Sequence, residues 1–192
     1  MELLLIRHSL TPGNLKKQYV GSTDQPLAPE GEALARERRG AMPSIDGLWV
    51  SPLMRCRQTA ELLFPNMEQH IVPDLQECDF GDFEGKTWEE LKDEPIYRAW
   101  IGGDMTITFP HGEGMEHFIT RCRRGIQTVA QQAKELGLER AAVVAHGGTW
   151  LVVMGTFGRP ERKLYDWQLK NCGGFRVSVQ EDPFTLALLE EF

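Results

Sequence analysis

The sequence is poor in cysteine, has no long apolar run near its amino terminus, and carries no excess of positive charge. Its four cysteines, Cys56, Cys78, Cys122 and Cys172, are scattered and form no C-x-x-C pair. That argues against a structural zinc site and against a disulfide scaffold, and leaves buried free thiols as the simplest reading. The apolar stretch after Met1 and Glu2 is only Leu3–Ile6, too short for a signal sequence or a membrane span. A reducing cytoplasm is therefore the expected compartment. The formal net charge of −7 excludes a general nucleic-acid or anionic-membrane binder. Basic residues that gather in one place in such a chain need a local reason.

What is present suits one ordinary globular domain over residues 1–192: 41% of residues are hydrophobic and 26% charged. No repeat or low-complexity tract divides the chain. Leu3-Leu4-Leu5-Ile6 reads as a strand buried on both faces, which is typical of parallel sheets. Ile45–Val50 and Ala141–Ala145 read the same way. Helices are expected over Pro29–Arg39, Leu53–Phe64 and Met115–Leu136. In the last of these, Phe118, Ile119, Cys122, Ile126, Val129, Ala130 and Ala133 repeat at helical spacing. Ser51 before Pro52 reads as the cap of the second helix. His70–Glu77 reads as extended, with Pro73 marking an edge or irregular strand. Residues 86–117 are expected to form a small helical lid, broken near Pro95. Phe175–Val179 and Phe184–Leu188 read as two strands turned at Asp182-Pro183.

Polar residues fall where these strands end. Arg7 and His8 close the first, Arg55 lies just past the second, and His146 with Gly147 and Gly148 closes the strand Ala141–Ala145. In open α/β sheets, ligands bind outside the carboxyl ends of the strands. Taken alone, Arg7 and His8 could equally be a strand ending at the surface. If the strands are neighbours, the side chains converge. Two guanidinium forks, glycine-flanked amides and a helix N-terminus then suit a dianionic phosphoryl group. Cationic neighbours would keep an imidazole neutral, so one histidine could attack phosphorus. The departing alcohol needs an acid. Glu77 is the best placed, with Asp79, Asp82 and Glu84 as competitors in the same acidic loop.

Five stretches occur in order over nearly the whole chain. They are Arg7-His8-Ser9 with Thr11 and Asn14; Ser51-Pro52-Leu53-Met54-Arg55-Cys56-Arg57-Gln58-Thr59-Ala60; Leu75-Gln76-Glu77 leading to Phe80-Gly81; Glu84-Gly85; and His146-Gly147-Gly148. Together they resemble the histidine phosphatase superfamily. The resemblance implies a phosphoglycerate-mutase-like fold: a three-layer α/β domain with a mostly parallel central sheet flanked by helices. It implies His8 as the phosphorylated nucleophile, with Arg7, Arg55 and His146 completing the phosphate pocket. It makes Glu77 the proton donor and Asn14 a further phosphate contact, with Thr11 and Gly147 beside it. No metal and no cofactor are implied. One departure is Ser9, where the family usually has glycine; its hydroxyl is a possible obstacle to phosphate.

Within the superfamily, Phe80-Gly81-Asp82-Phe83-Glu84-Gly85, Pro110-His111-Gly112-Glu113-Gly114 and the compact length resemble alpha-ribazole-phosphate phosphatases. The expected reaction is hydrolysis of a small-molecule phosphate monoester, with alpha-ribazole 5'-phosphate of cobalamin biosynthesis as the suggested substrate. A cofactor-dependent phosphoglycerate mutase and a broad sugar or nucleotide phosphatase are the alternatives. Trp88, Tyr97, Trp100 and Phe109 would cover an organic leaving group or form the core of the lid. Two other classes of function compete. His8, His146 and Glu77 could make a metal-hydrolase triad, which the adjacent arginines oppose. A catalytically silent phosphate sensor finds support only in Ser9. His111 and His117 read as surface or packing groups, His70 has no basic company, and the Arg121, Arg123, Arg124 cluster reads as a solvated helix face, with partner binding as the alternative. The partner is a small phosphate monoester, and a homodimer is permitted.

Overall fold

A computed structural model describes all 192 residues. In chain order its elements are β1 Glu2–Arg7, α1 Pro12–Leu15, α2 Pro29–Arg39, β2 Gly47–Val50, α3 Met54–Leu63, β3 Gln69–Ile71, α4 Trp88–Leu91, α5 Pro95–Ile101, α6 Met115–Glu135, β4 Arg140–Ala145, α7 Gly147–Phe157, β5 Gly158–Arg159, β6 Gly174–Glu181 and β7 Phe184–Glu191. The seven strands make one sheet in the order β3-β2-β4-β1-β6-β7-β5. Pairings β3–β2, β2–β4, β4–β1 and β7–β5 are parallel, while β6 runs against both β1 and β7. Six strands therefore point one way and β6 alone opposes them, as a mixed but mostly parallel sheet requires.

Helices cover both faces, and the strand sequences show why. Side chains alternate across a strand. Leu3, Leu5, Ala141 and Val143 join one core cluster with Phe118, Cys122, Ile126 and Val129 of α6 and Trp150 and Val153 of α7. Leu4, Ile6, Ala142 and Val144 face the other way, into a smaller cluster with Ala35 of α2 and Cys56, Ala60 and Leu63 of α3. A strand that must be apolar on both sides yields the uninterrupted Leu3–Ile6 run. Each fully buried aliphatic side chain contributes roughly 1.5–3 kcal/mol. The α6 stripe secures that helix beneath the sheet, and the Trp150 indole N–H donates to the Ile6 carbonyl at 2.9 Å, tying α7 to β1.

Several expectations are adjusted. The strand expected over Ile45–Val50 begins at Gly47, and α3 begins two residues beyond Pro52. Leu53 holds the cap position with no side-chain bond of its own, the Met54 N–H donates to Asp24 Oδ1 at 2.7 Å, and Ser51 does not cap the helix. Gln69–Ile71 is the edge strand, but Pro73 opens a 3-10 turn, Pro73–Leu75, because its fixed φ suits the first position of such a turn. The break near Pro95 separates two short helices. The first opens at Thr87, whose N–H and hydroxyl donate to the Glu90 carboxylate at 2.8 and 3.0 Å. All four cysteines are free and buried. No helix is long and apolar enough to cross a membrane.

Candidate active site

Strand register does the first part of the assembly. Arg7 pairs with Ala145, so the next residues, His8 and His146, leave adjacent strands at the same level. Val50 of β2 pairs with Val144, which brings Ser51 to the same edge. The imidazole centroids of His8 and His146 lie 5.2 Å apart, with the rings at 64° to one another.

The hydrogen bonds fix both tautomers. Nδ1 of His8 lies 2.6 Å from the Ser9 carbonyl oxygen, which can only accept. Nδ1 therefore carries the proton, and Nε2 of the neutral ring keeps its lone pair. Arg55 Nε donates to His146 Nδ1 at 3.3 Å, so His146 Nε2–H donates to the Ser51 hydroxyl at 2.7 Å. Burial, followed by the positive fields of Arg55 and Arg7, holds the His8 imidazole well below the usual histidine range. Burial, Arg55 and His8 do the same to His146. Both rings are neutral, and a neutral imidazole with an open Nε2 is a nucleophile.

Glu77 enters from the loop after the Pro73–Leu75 turn. Its Oε2 accepts from the Gly148 N–H at 2.9 Å, at the first turn of α7, and its Oε1 from the Cys78 N–H at 3.1 Å. Burial nevertheless raises its pKa, against the lowering effects of those bonds and of Arg55 and Arg7. A carboxyl held toward its protonated form in such a place can supply a proton. Gly148 is required by proximity: a Cβ there would lie 2.6 Å from Glu77 Oε1.

These groups border a cavity of about 590 Å³ whose wall includes Arg7, His8, Asn14, Glu77 and Gly147. Arg55, His146 and Thr11 are fully buried and stand behind that wall. Arg55 spends its fork on main-chain carbonyls, giving Nη1 to Thr23 at 2.9 Å and Nη2 to Gly21 at 2.7 Å. Arg55, expected in the phosphate pocket, thus has carbonyls packed around both ends of its fork, which keeps a buried cation hydrogen-bonded. Arg7 gives Nη1 to the Leu169 carbonyl at 2.7 Å, while its Nε is buried with no protein partner. Thr11 caps α1, its hydroxyl accepting from the Asn14 N–H at 3.2 Å.

Ser9 turns away from the site. Its hydroxyl donates to the Gly31 carbonyl at 2.7 Å and its N–H to Thr59 Oγ1 at 2.9 Å, so it does not obstruct the cavity. The competitors of Glu77 are engaged elsewhere. Glu84 accepts from the N–H groups of Ser22, at 2.6 Å, and Thr23, at 2.8 Å, clamping the loop that supplies carbonyls to Arg55. Asp79 binds the Gly81 N–H at 2.9 Å, and Asp82 pairs with exposed His111 at 3.0 Å. The lid aromatics divide: Trp88 and Trp100 line the cavity, whereas Tyr97 and Phe109 are buried in the core. His70 lies against Trp49, with centroids 5.1 Å apart.

Sequence reasoning missed two residues here. Ser51 reads locally as a helix cap, and its place before proline gives no hint of a partner ninety-five residues away. Asn171 follows no strand end and carried no local signal. Its Nδ2 donates to the His8 carbonyl at 3.1 Å and to Asn14 Oδ1 at 3.3 Å. Since Asn14 Oδ1 also accepts the Thr11 N–H at 3.1 Å, the Asn14 amide is oriented with its own donors free.

The model of the histidine phosphatase superfamily, branch 1, matches residues 3–191. The chain belongs to that superfamily. It is 27% identical to the adenosylcobalamin/alpha-ribazole phosphatase of Salmonella typhimurium, covering 98% of this chain and 96% of that one. The alpha-ribazole phosphatase of Shigella flexneri superposes with a TM-score of 0.79 at 27% identity, over 98% and 96% of the two chains. A phosphoglycerate mutase from Thermus thermophilus superposes with a TM-score of 0.76 at 31% identity, over 100% and 98%. As a histidine phosphatase superfamily member the chain is a phosphoric monoester hydrolase by class, and its α/β fold with a mixed central sheet is that of its relatives.

The neutral imidazoles predict a pH dependence of stability. Folded His8 and His146 bind protons less tightly than the unfolded chain does. Above the ordinary histidine pKa of about 6.5 neither state holds the proton, and no penalty applies. Below it the unfolded chain takes up protons that the folded chain refuses, so stability falls as the pH drops. Each histidine contributes about 1.4 kcal/mol per pH unit while this lasts. Urea unfolding of the wild type and of His8→Gln between about pH 5 and 7 should show the acid-side slope reduced by about that amount in the variant. An unchanged slope would mean that His8 titrates as it does in the unfolded chain.

Proposed function

We propose that this histidine phosphatase hydrolyses phosphate monoesters with a bulky, largely apolar leaving group, of the alpha-ribazole 5'-phosphate type, through a phosphohistidine on His8. The observation that carries this reading is the cavity wall. Beyond the cluster at His8 it is formed by Tyr19, Trp88, Trp100, Met105, Leu151 and Tyr165, among others, and its only lysine or arginine side chains are Arg7 and Lys17. A mutase must grip and re-orient a small polyanion, which calls for more cations than that. An organic leaving group instead gains from burial against aromatic faces. Residues 86–117 act as a lid whose aromatic lining meets that group.

In the reaction, Arg7 and the Asn14 amide hold the phosphoryl oxygens beside the N-terminus of α7 at Gly147. The His8 Nε2 lone pair forms the bond to phosphorus as the phosphorus–oxygen bond of the ester breaks. The leaving alkoxide takes the proton of Glu77, while His146, held by Ser51 and Arg55, packs against the His8 ring and steadies it. The Glu77 carboxylate then accepts a proton from a water molecule that attacks phosphohistidine. Inorganic phosphate leaves, and both residues return to their starting states. The acid step accounts for about 10²–10⁴ of the rate. Uncatalysed monoester hydrolysis demands up to ~10²¹. Covalent catalysis, positioning and preorganised positive charge carry the remainder.

Rapid quench with labelled substrate should trap acid-labile phosphate on the wild type and none on His8→Ala. Across alpha-ribazole phosphate, p-nitrophenyl phosphate and 3-phosphoglycerate with its bisphosphate primer, kcat/KM should favour the first over the last by tenfold or more. Mutase turnover outrunning hydrolysis would overturn the substrate reading. Gly148→Ala should lower kcat/KM for an alkyl phosphate by about 10²-fold or more, since the new methyl displaces the acid. An alanine variant with full activity would show that Glu77 is not held where the reaction needs it.

A further inference from the structure

We propose that Arg121 and Glu113 form a positioning clamp that sets the backbone under Glu77 and so places the acid. The inference rests on Glu77 being the proton donor. Arg121 lies on the face of α6 turned toward the segment that runs from the Pro73–Leu75 turn into the acid loop, and it is 9% exposed, unlike the surface arginine the sequence suggested. All five of its N–H donors are occupied. Nε and one Nη2 hydrogen go to the two carboxylate oxygens of Glu113, each at 2.7 Å. The other Nη2 hydrogen goes to the carbonyl of Glu77 itself at 2.9 Å. The two Nη1 hydrogens go to the carbonyls of Asp74, at 3.1 Å, and Gln76.

One planar cation thus fixes three carbonyls in four consecutive residues, and the last of them belongs to the acid. Glu113 closes the far side: its N–H donates to the Asp79 carbonyl at 2.8 Å, and its carboxylate takes the Asp79 N–H at 3.4 Å and His117 Nδ1. The Arg121 side keeps Glu113 ionised, lowering its pKa despite burial. Residues 74–79 therefore rest on a fork-to-fork ion pair, while the Glu77 carboxylate is fixed independently by the Gly148 and Cys78 amides. Lysine at 121 would retain the charge and lose the fork, which only guanidinium geometry provides. A misplacement of about 1 Å at a reacting group can cost ~10²-fold in rate.

The test compares kcat/KM for p-nitrophenyl phosphate, whose leaving group departs with little protonation, and for an alkyl phosphate, which needs the acid. Arg121→Lys and Glu113→Gln should each lower the alkyl rate at least tenfold more than the p-nitrophenyl rate, with both proteins folded by circular dichroism. Neither change should add to that selective loss in a Glu77→Gln background. Equal losses on the two substrates in both single variants would overturn the clamp, leaving a merely structural ion pair. If Glu77→Gln itself shows no selective loss, the assignment of the acid fails, and the clamp with it. Glu113→Gln supplies the answer if Arg121→Lys does not fold.

Discussion

Two imidazoles taken out of water beside two guanidinium groups are the constraint on which the rest of the structure depends. A protonated histidine there would be a third buried positive charge with no carboxylate against it. The rings are therefore neutral, and neutrality is what leaves Nε2 of His8 free. The same burial presses the other way on Glu77, which is held toward its acid form. One environment thus pushes two kinds of titratable group toward opposite proton states, the states that the proposed nucleophile and proton donor require, without separate devices for each.

Keeping the cations in place is the larger structural task. Arg55 has no acidic partner among its hydrogen bonds; it is held by carbonyls of the 20–23 loop and by His146. That loop is in turn shaped by Glu84, whose carboxylate collects the amides of Ser22, Thr23 and Phe80. Gly21 must be glycine because a Cβ there would fall 1.9 Å from the Cys78 carbonyl oxygen. The acidic loop at 77–85 therefore serves both the proposed phosphate side of the site and the proposed acid side. Its glutamates act on opposite ends: Glu77 at the cavity, and Glu84 at the carbonyl cage around Arg55. Asn171 completes the arrangement on the β6 side by reaching back to the His8 carbonyl and to Asn14.

The frame of this site was legible wherever a short chain segment determines its own environment. An apolar run such as Leu3–Ile6 can only be buried on both faces, and its polar sequel can only emerge at the sheet edge. The stripe from Phe118 to Ala133 can only be one face of a helix. What stayed hidden were contacts made by residues with an adequate local explanation of another kind. Ser51 looked like a cap, Arg121 like one of three surface arginines, and Pro73 like a blemish in a strand. Ser9 looked like an obstacle because it follows His8, the proposed nucleophile. In fact the backbone sends its hydroxyl to Gly31, on the far side from the cavity.

Those hidden contacts share a property. Each joins parts of the chain distant in sequence: Ser51 to His146, Arg121 to Asp74, Gln76 and Glu77, and Asn171 to His8 and Asn14. The groups proposed to bear on the phosphate sit at strand ends and helix starts, where a local pattern announces them. The groups that hold those in position need only a donor or acceptor at the right height, and any polar residue can supply that. Hence chemistry is written locally in this chain and its precision is written in tertiary contacts. A sequence that kept every motif residue but lost Arg121, Glu113 or Asn171 would retain the motif and loosen the geometry that makes it work.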